Sequence, residues 1–388
     1  MTTLEAFAPA KLGPATLRNR IIKSATFEGM TPKGVVTDEL IDFHRKFAAG
    51  GVGMTTVAYC AVAPEGRTSA GQLQWTEETA PGLRRLTDAI HAEGAAVSAQ
   101  IGHAGAVANP KSNGHKAITS SRHFHLTTLS FAEAASEADI DRIVEAHAHA
   151  ARAATEAGFD AIELHFGHGY LISSFLSPKL NHRNDSYGGS LKNRARFARR
   201  TARAVRDAVG TKIAVIAKVS MDDGVPGGFW LEEAITVVRW LEEDGTLDGV
   251  VLTAGSSLEN PLYTFRGDAP LREFGALMPQ PQKLGIKLVG KHFLRTYPYT
   301  DAYLLDHARQ IRDAVDLPLV LLGGITGKES IDLAMREGFE FVQMGRALLS
   351  DPNLIKTIEE EGHGQTLCIH CNKCITTIYG GTRCVLRP

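Results

Sequence analysis

No run in the 388 residues is long and apolar enough to cross a membrane. The opening Met-Thr-Thr-Leu-Glu-Ala-Phe-Ala-Pro-Ala-Lys has neither a basic leader nor an apolar core. A spanning helix and a secretory signal are thereby excluded, and a cytoplasmic location is expected. Excess charge is missing as well. Forty-two Lys and Arg stand against 43 Asp and Glu, for a formal charge of −1, and no basic stripe interleaved with aromatics suits a phosphodiester backbone. Nucleic acid is not an expected partner. Cysteine is nearly absent before the end of the chain, where four of the five lie between Cys368 and Cys384. That distribution excludes a dispersed disulfide framework and fits a reducing compartment with a local metal site. A Gly-rich dinucleotide fingerprint is also lacking after the first strand, which disfavours a doubly wound sheet.

What is present suits an enzyme barrel. With 44% hydrophobic and 22% charged residues, the chain can bury a large core. Short apolar runs near 21–26, 54–59, 96–101, 161–165, 214–220, 249–255, 317–324 and 341–345 alternate with segments of helical period, the pattern of repeated βα units. Thr37 reads as the N-cap of the first helix, and Ser136 with Asp139 reads as a capping box. Eight such units predict an α/β fold, a (β/α)8 TIM barrel over 1–362. The extra length lies in long βα loops near 103–135, 170–190 and 256–300, and a short Cys-rich tail covers 363–388.

In such a barrel the C-terminal strand ends carry the chemistry. The fourth strand runs into His165-Phe-Gly-His168-Gly-Tyr170. Two imidazoles and a phenol leaving one strand end suit holding a carbonyl oxygen and protonating a neighbouring carbon, although a histidine beside a strand is more often structural. Gly323-Gly324 ends the seventh strand and Gly345-Arg346 the eighth, where barrels commonly seat a phosphate on backbone N–H groups. Gln100 offers both an acceptor and a donor to a heterocycle, and Lys218 offers a cation to an anionic ring.

Several stretches together resemble the Old Yellow Enzyme family of FMN-dependent NADH:flavin oxidoreductases. They are Leu17-Arg-Asn19-Arg20-Ile-Ile, Pro64-Glu-Gly66-Arg67, His165 to Tyr170, Phe175-Leu-Ser177-Pro178, Asn181 to Ser190, Asn193-Arg194-Ala-Arg196-Phe197 and the glycine pairs. The resemblance implies that Ala25 and Thr26 lie beside the flavin through their backbone, with Tyr59 nearby. Gln100 would bind its pyrimidine edge, Lys218 would stand where the family usually has arginine, and Gly323, Gly324, Gly345 and Arg346 would hold its phosphate. His165 and His168 would bind the substrate oxygen and Tyr170 would donate the proton. Three positions depart from the pattern: Phe27 replaces a residue that hydrogen-bonds the flavin, Lys218 keeps the charge but loses the guanidinium fork, and Ala106 replaces a frequent arginine.

The implied activity is NAD(P)H-driven reduction of the activated C=C bond of α,β-unsaturated carbonyl compounds, that is, of an ene-reductase. Cys368, Cys371, Cys374 and Cys384 form C-x2-C-x2-C-x9-C, a ligand signal for a [4Fe–4S] cluster or, alternatively, zinc. The segment resembles the iron–sulfur stretch of 2,4-dienoyl-CoA reductase and trimethylamine dehydrogenase, with a shorter last interval. His370 lies between two of the cysteines and is expected to point away. Two other readings stay open. One is a flavin and iron–sulfur dehydrogenase passing electrons to a separate partner protein; the other is a phosphate-binding barrel lyase or isomerase without flavin. A small-molecule substrate and a homo-oligomer are expected.

Overall fold

The computed structural model describes residues 3–387 apart from 126, 127, 279 and 281. Eight parallel strands close into a barrel in chain order: β1 (Ile21–Lys23), β2 (Met54–Ala61), β3 (Ala96–Gly102), β4 (Ala161–Phe166), β5 (Ala214–Ser220), β6 (Gly249–Thr253), β7 (Leu319–Leu322) and β8 (Phe341–Met344). The outer wall is α1 (Asp38–Ala49), α2 (Ala80–Ala92), α3 (Glu137–Glu156), α4 (Arg196–Val209), α5 (Leu231–Glu243), α6 (Leu305–Arg312), α7 (Lys328–Arg336) and α8 (Leu354–Glu361). The fold is the expected (β/α)8 barrel.

Both faces of each strand are buried, one against the barrel axis and the other against helices, so the strands read as continuous apolar runs. Ile22, Met54, Ala161, Ala214, Ile216, Val251, Val320 and Phe341 fill the barrel floor, and Leu12 and Leu17 of the hairpin Ala10–Leu12/Ala15–Leu17 join them. Residues of the other parity, such as Val57, Ala99, Leu164, Val219 and Val250, belong to the shell beneath the helices. One pleat beyond the floor the inward positions turn polar.

β1 and β7 fall furthest short of the apolar runs. β1 stops at Lys23, and Ser24 N–H still donates to Met344 O at 2.8 Å. β7 is bounded by Pro318, which has no N–H to give, and by Gly323 at φ +98°. The caps form as expected. Thr37 Oγ1 accepts from Leu40 N–H at 3.2 Å, and Ser136 and Asp139 bond each other's backbone at 3.0 and 3.1 Å. The long loops carry structure of their own: a three-stranded sheet within 103–135, the helix Leu171–Leu176, and the helices Leu271–Leu277 and Gln282–Phe293. Among the described residues no helix is long and apolar enough to cross a membrane.

Several of the motif residues hold this frame. Arg18 Nε donates to Val52 O at 2.9 Å, Asn19 Nδ2 to Gly51 O at 2.7 Å and Arg183 Nη1 to Ala135 O at 2.7 Å. Arg18 and Asn19 brace the segment before β2 at the barrel floor, and Arg183 ties together the loops that follow β3 and β4.

Candidate active site

The centre of the barrel mouth is a carboxylate that the sequence reading missed. Glu163 is fully buried. Gln100 Nε2 donates to its Oε1 at 2.6 Å and Gln343 Nε2 to its Oε2 at 2.7 Å, while Lys218 Nζ lies 2.8 Å from Oε1. A charge inside the apolar run Ala161-Ile-Glu-Leu, two residues before His165 and on the same strand face, was the available signal. Buried carboxylates are kept only where donors surround them, and here three do.

Just above, β4 gives way to the His165–Tyr170 turn, in which His168 adopts φ +62°, an uncommon conformation for a non-glycine residue. His168 Nδ1 lies 3.1 Å from His165 Nε2, and His168 Nε2 lies 2.9 Å from Thr253 Oγ1. The imidazoles therefore stand in series, and His165 Nδ1 is buried without a hydrogen-bond partner. The Tyr170 ring stacks on His165 at 4.4 Å, and the Tyr59 ring stands 5.5 Å from Tyr170.

Burial, followed by the Lys218 charge, pulls His165 down to about 3; burial, His165 and Lys218 pull His168 well below the usual imidazole range. Both rings are neutral near pH 7. Burial pushes the Tyr170 phenol up, with Tyr379 adding to the effect, so it keeps its proton. The arrangement provides neutral imidazole donors and a protonated phenol at one strand end, suited to stabilising a developing oxyanion and delivering a proton.

The residues expected around a flavin are brought to the same rim. Ala25, Tyr59 and Tyr170 pack in one apolar cluster. The Tyr59 hydroxyl is bonded to Gly66 O, so its ring rather than its oxygen faces the site. A Cβ on Gly345 would meet Thr26 Cγ2 at 3.9 Å, which places the ends of β1 and β8 side by side with open space between. Gly323 and Gly324 have φ of +98° and +78°, and Cβ atoms there would run into Tyr303 and Leu304 or Ala302, so the close approach needs glycine. Arg346 donates to Phe265 O, Arg266 O and Asn372 Oδ1, joining the loop after β6 to the tail. Lys23 also went unnoticed in the sequence. It is fully buried, lies 5.0 Å from the Phe43 ring centroid, and donates to Thr26 Oγ1 at 2.5 Å; burial lowers it to about 8.

In the tail, Cys368, Cys371, Cys374 and Cys384 line one small pocket, with Arg346 and Asn372 on its polar side and Leu349, Leu367, Val385 and Leu386 on its apolar side. Among the described residues no three or more His, Cys, Asp or Glu side chains are grouped closely enough for a metal ion. His370 turns away from the thiols and stacks on Tyr299 at 3.4 Å between centroids. Burial raises Cys374 to about 11, and Arg346 opposes it. Cys60, within β2, is buried, and burial pushes its thiol up.

Residues 5–253 match the NADH:flavin oxidoreductase / NADH oxidase family over nearly the whole first two thirds of the barrel chain. The chain belongs to this family. Its members' dependence on FMN and a nicotinamide matches the rim of Gln100, Lys218, Thr26 and glycine ends, and the orphaned His165 Nδ1 leaves a polar atom for a bound molecule. The chain is 53% identical over 381 residues to the 4,4'-dithiodibutanoate disulfide reductase of Rhodococcus erythropolis, covering 98% of this chain and 94% of that one. It is 34% identical over 379 residues to a metal reductase of Desulforamulus reducens, covering 96% of this chain and 52% of the relative. A 2-naphthoyl-CoA reductase structure has the same fold, with a TM-score of 0.80 and 24% identity over 93% of this chain and 53% of that chain. The chain thus spans nearly all of the first relative and about half the length of the other two.

Proposed function

We propose that this family member is an NAD(P)H-driven ene-reductase acting on α,β-unsaturated carbonyl compounds. The observation that supports it most is the unpartnered His165 Nδ1 beside the stacked, protonated Tyr170. With Thr253 donating to His168 and His168 Nδ1–H donating to His165 Nε2, His165 is left with a free N–H. That donor would hold the substrate oxygen as it gains charge, and Tyr170 would protonate the α-carbon. Ala25, Thr26 and Tyr59 would flank the FMN, Gln100 and Lys218 would meet its ring while still bracing Glu163, and Gly323, Gly324, Gly345 and Arg346 would hold its phosphate. FMN, when bound, supplies the two-electron chemistry between nicotinamide and substrate.

The likeness to the disulfide reductase favours a second reading, reduction of a small linear disulfide at the same site. The only cysteine outside the tail, Cys60, is buried and its thiol is held protonated. Two electrons from the bound cofactor would therefore break the S–S bond without thiol exchange, and Tyr170 would protonate one of the two departing sulfurs. Anaerobic NADPH-reduced protein mixed with 2-cyclohexenone or with 4,4'-dithiodibutanoate separates the two. Faster reoxidation by the enone is expected; reoxidation by the disulfide alone would overturn the first reading in favour of the second.

We propose that the four tail cysteines, which line one pocket, hold a [4Fe–4S] cluster or, alternatively, zinc. A four-iron cube would supply one-electron transfer. A separate electron-transfer protein would meet it on the outer side of the tail, where Leu367, Ile369 and Leu386 are at least half open to solvent.

A further inference from the structure

Between the third and fourth cysteines the tail leaves the phosphate end of the barrel and crosses the loop that follows β1. Thr382 N–H donates to Glu28 O at 2.8 Å, and Thr382 Oγ1 donates to Phe27 O. At the crossing a Cβ on Gly29, which has φ +67°, would come within 2.1 Å of Ile378 O, so the two backbones touch as only glycine allows. The loop beneath is held firmly. Both carboxylate oxygens of Glu28 accept from Ala58 N–H, at 3.0 and 3.2 Å, and His44 Nε2 lies 3.3 Å from one of them.

This crossing carries Tyr379 to the barrel mouth. Its ring meets Phe27 edge-on at 5.7 Å, and its phenol influences the ionisation of both Tyr59 and Tyr170, with Thr68 as a hydrogen-bonding neighbour. Yet 64% of its surface is open. One side of the ring is held against Phe27 and the other is open to a bound molecule. Tyr59 has spent its hydroxyl on the buried Gly66 O, whereas Tyr379 has only the Thr68 side chain beside its hydroxyl, a contact that a bound molecule can replace.

We propose that Tyr379 is a substrate-contacting residue, supplied to the active-site cleft by the cysteine-rich tail, and that its hydroxyl binds a second oxygen of the substrate, a carbonyl or carboxylate remote from the reacting bond. The inference rests on the barrel-mouth site described above but not on which bond is reduced there. Because Tyr379 lies between Cys374 and Cys384, ligation of the tail cysteines also fixes its place.

The test is calorimetric titration of the FMN-loaded protein with two probes, phenol and 4-hydroxybenzaldehyde, the second of which adds a distal oxygen. Tyr379→Phe should weaken 4-hydroxybenzaldehyde about tenfold and phenol less than twofold, since one hydrogen bond is lost, while FMN content stays unchanged. Tyr379→Ala and Cys371→Ser should each weaken 4-hydroxybenzaldehyde at least as much, and the double variant no further. Equal effects of Tyr379→Phe on both probes, or none from Tyr379→Ala, would overturn the proposal. Loss of enone reduction with ligand binding intact would instead count against the reaction proposed above and leave the cleft wall standing.

Discussion

His168 stands in series with His165: its Nδ1 lies 3.1 Å from His165 Nε2 and its other nitrogen 2.9 Å from Thr253 Oγ1. Two imidazoles in series have unequal roles. His165→Ala should lower the rate of enone reduction by roughly 10²–10³-fold, as for loss of one oxyanion donor. His168→Ala should cost less, because His165 keeps its own contact. Stopped-flow reoxidation of the reduced protein gives both numbers, and a larger loss for His168→Ala would reverse the order assigned to the pair.

Tyr170→Phe should leave reduction by nicotinamide nearly intact and slow reoxidation by an enone on the order of 10²–10⁴-fold, the usual contribution of a positioned acid. The two half-reactions, followed separately by absorbance, decide it. Equal damage to both would place Tyr170 in cofactor binding.

Acid should destabilise the fold by charging buried histidines. Burial holds His147 and His125 down at about 4 and His165 at about 3. Their folded values lie below the unfolded value near 6.5, so the unfolded chain takes up protons first. The stability these neutral histidines contribute is present above pH 6.5 and is lost as pH falls toward 4, at about 1.4 kcal/mol per pH unit for each group. Urea midpoints measured from pH 8 to 4.5 should fall steadily below pH 6.5; a flat curve would show that these rings are not held neutral.

The flavin should be noncovalent. None of the residues expected around the flavin, Ala25, Thr26, Tyr59, Gln100, Lys218, Gly323, Gly324, Gly345 and Arg346, is a cysteine or a histidine that could link to it. Heat or acid should release all bound flavin as FMN. Lys218→Met should loosen FMN and also destabilise the apoprotein by about 3–5 kcal/mol, because Glu163 would be left as a buried charge without its cation. Retention of colour on the precipitated polypeptide would contradict the first part.

Cys371→Ser should abolish iron binding and the broad absorbance that accompanies it, while FMN stays bound. Metal counts on anaerobically purified protein are the check. Near-stoichiometric zinc without iron would keep the ligand set and remove the electron-transfer role; neither metal would dismiss the site.

Some of this protein was determined by sequence alone. All eight strands follow from apolar runs between turn residues, because a parallel barrel buries both strand faces and leaves no polar alternation to hide the run. The His165–Tyr170 turn and the glycine ends are local too, so their place at strand ends was legible. Tertiary structure decided the rest. Glu163 reads as an interruption of a strand until the barrel closes and brings Gln100, Lys218 and Gln343 around it. The imidazoles look equivalent along the chain, and only Thr253 from β6 sets them in series. Tyr379 lies 209 positions from Tyr170 in the numbering, and no local pattern predicts that a tail will cross Gly29 and lay a phenol beside the site. Periodicity reports which face a residue takes; which other face it meets is fixed by closure of the chain upon itself.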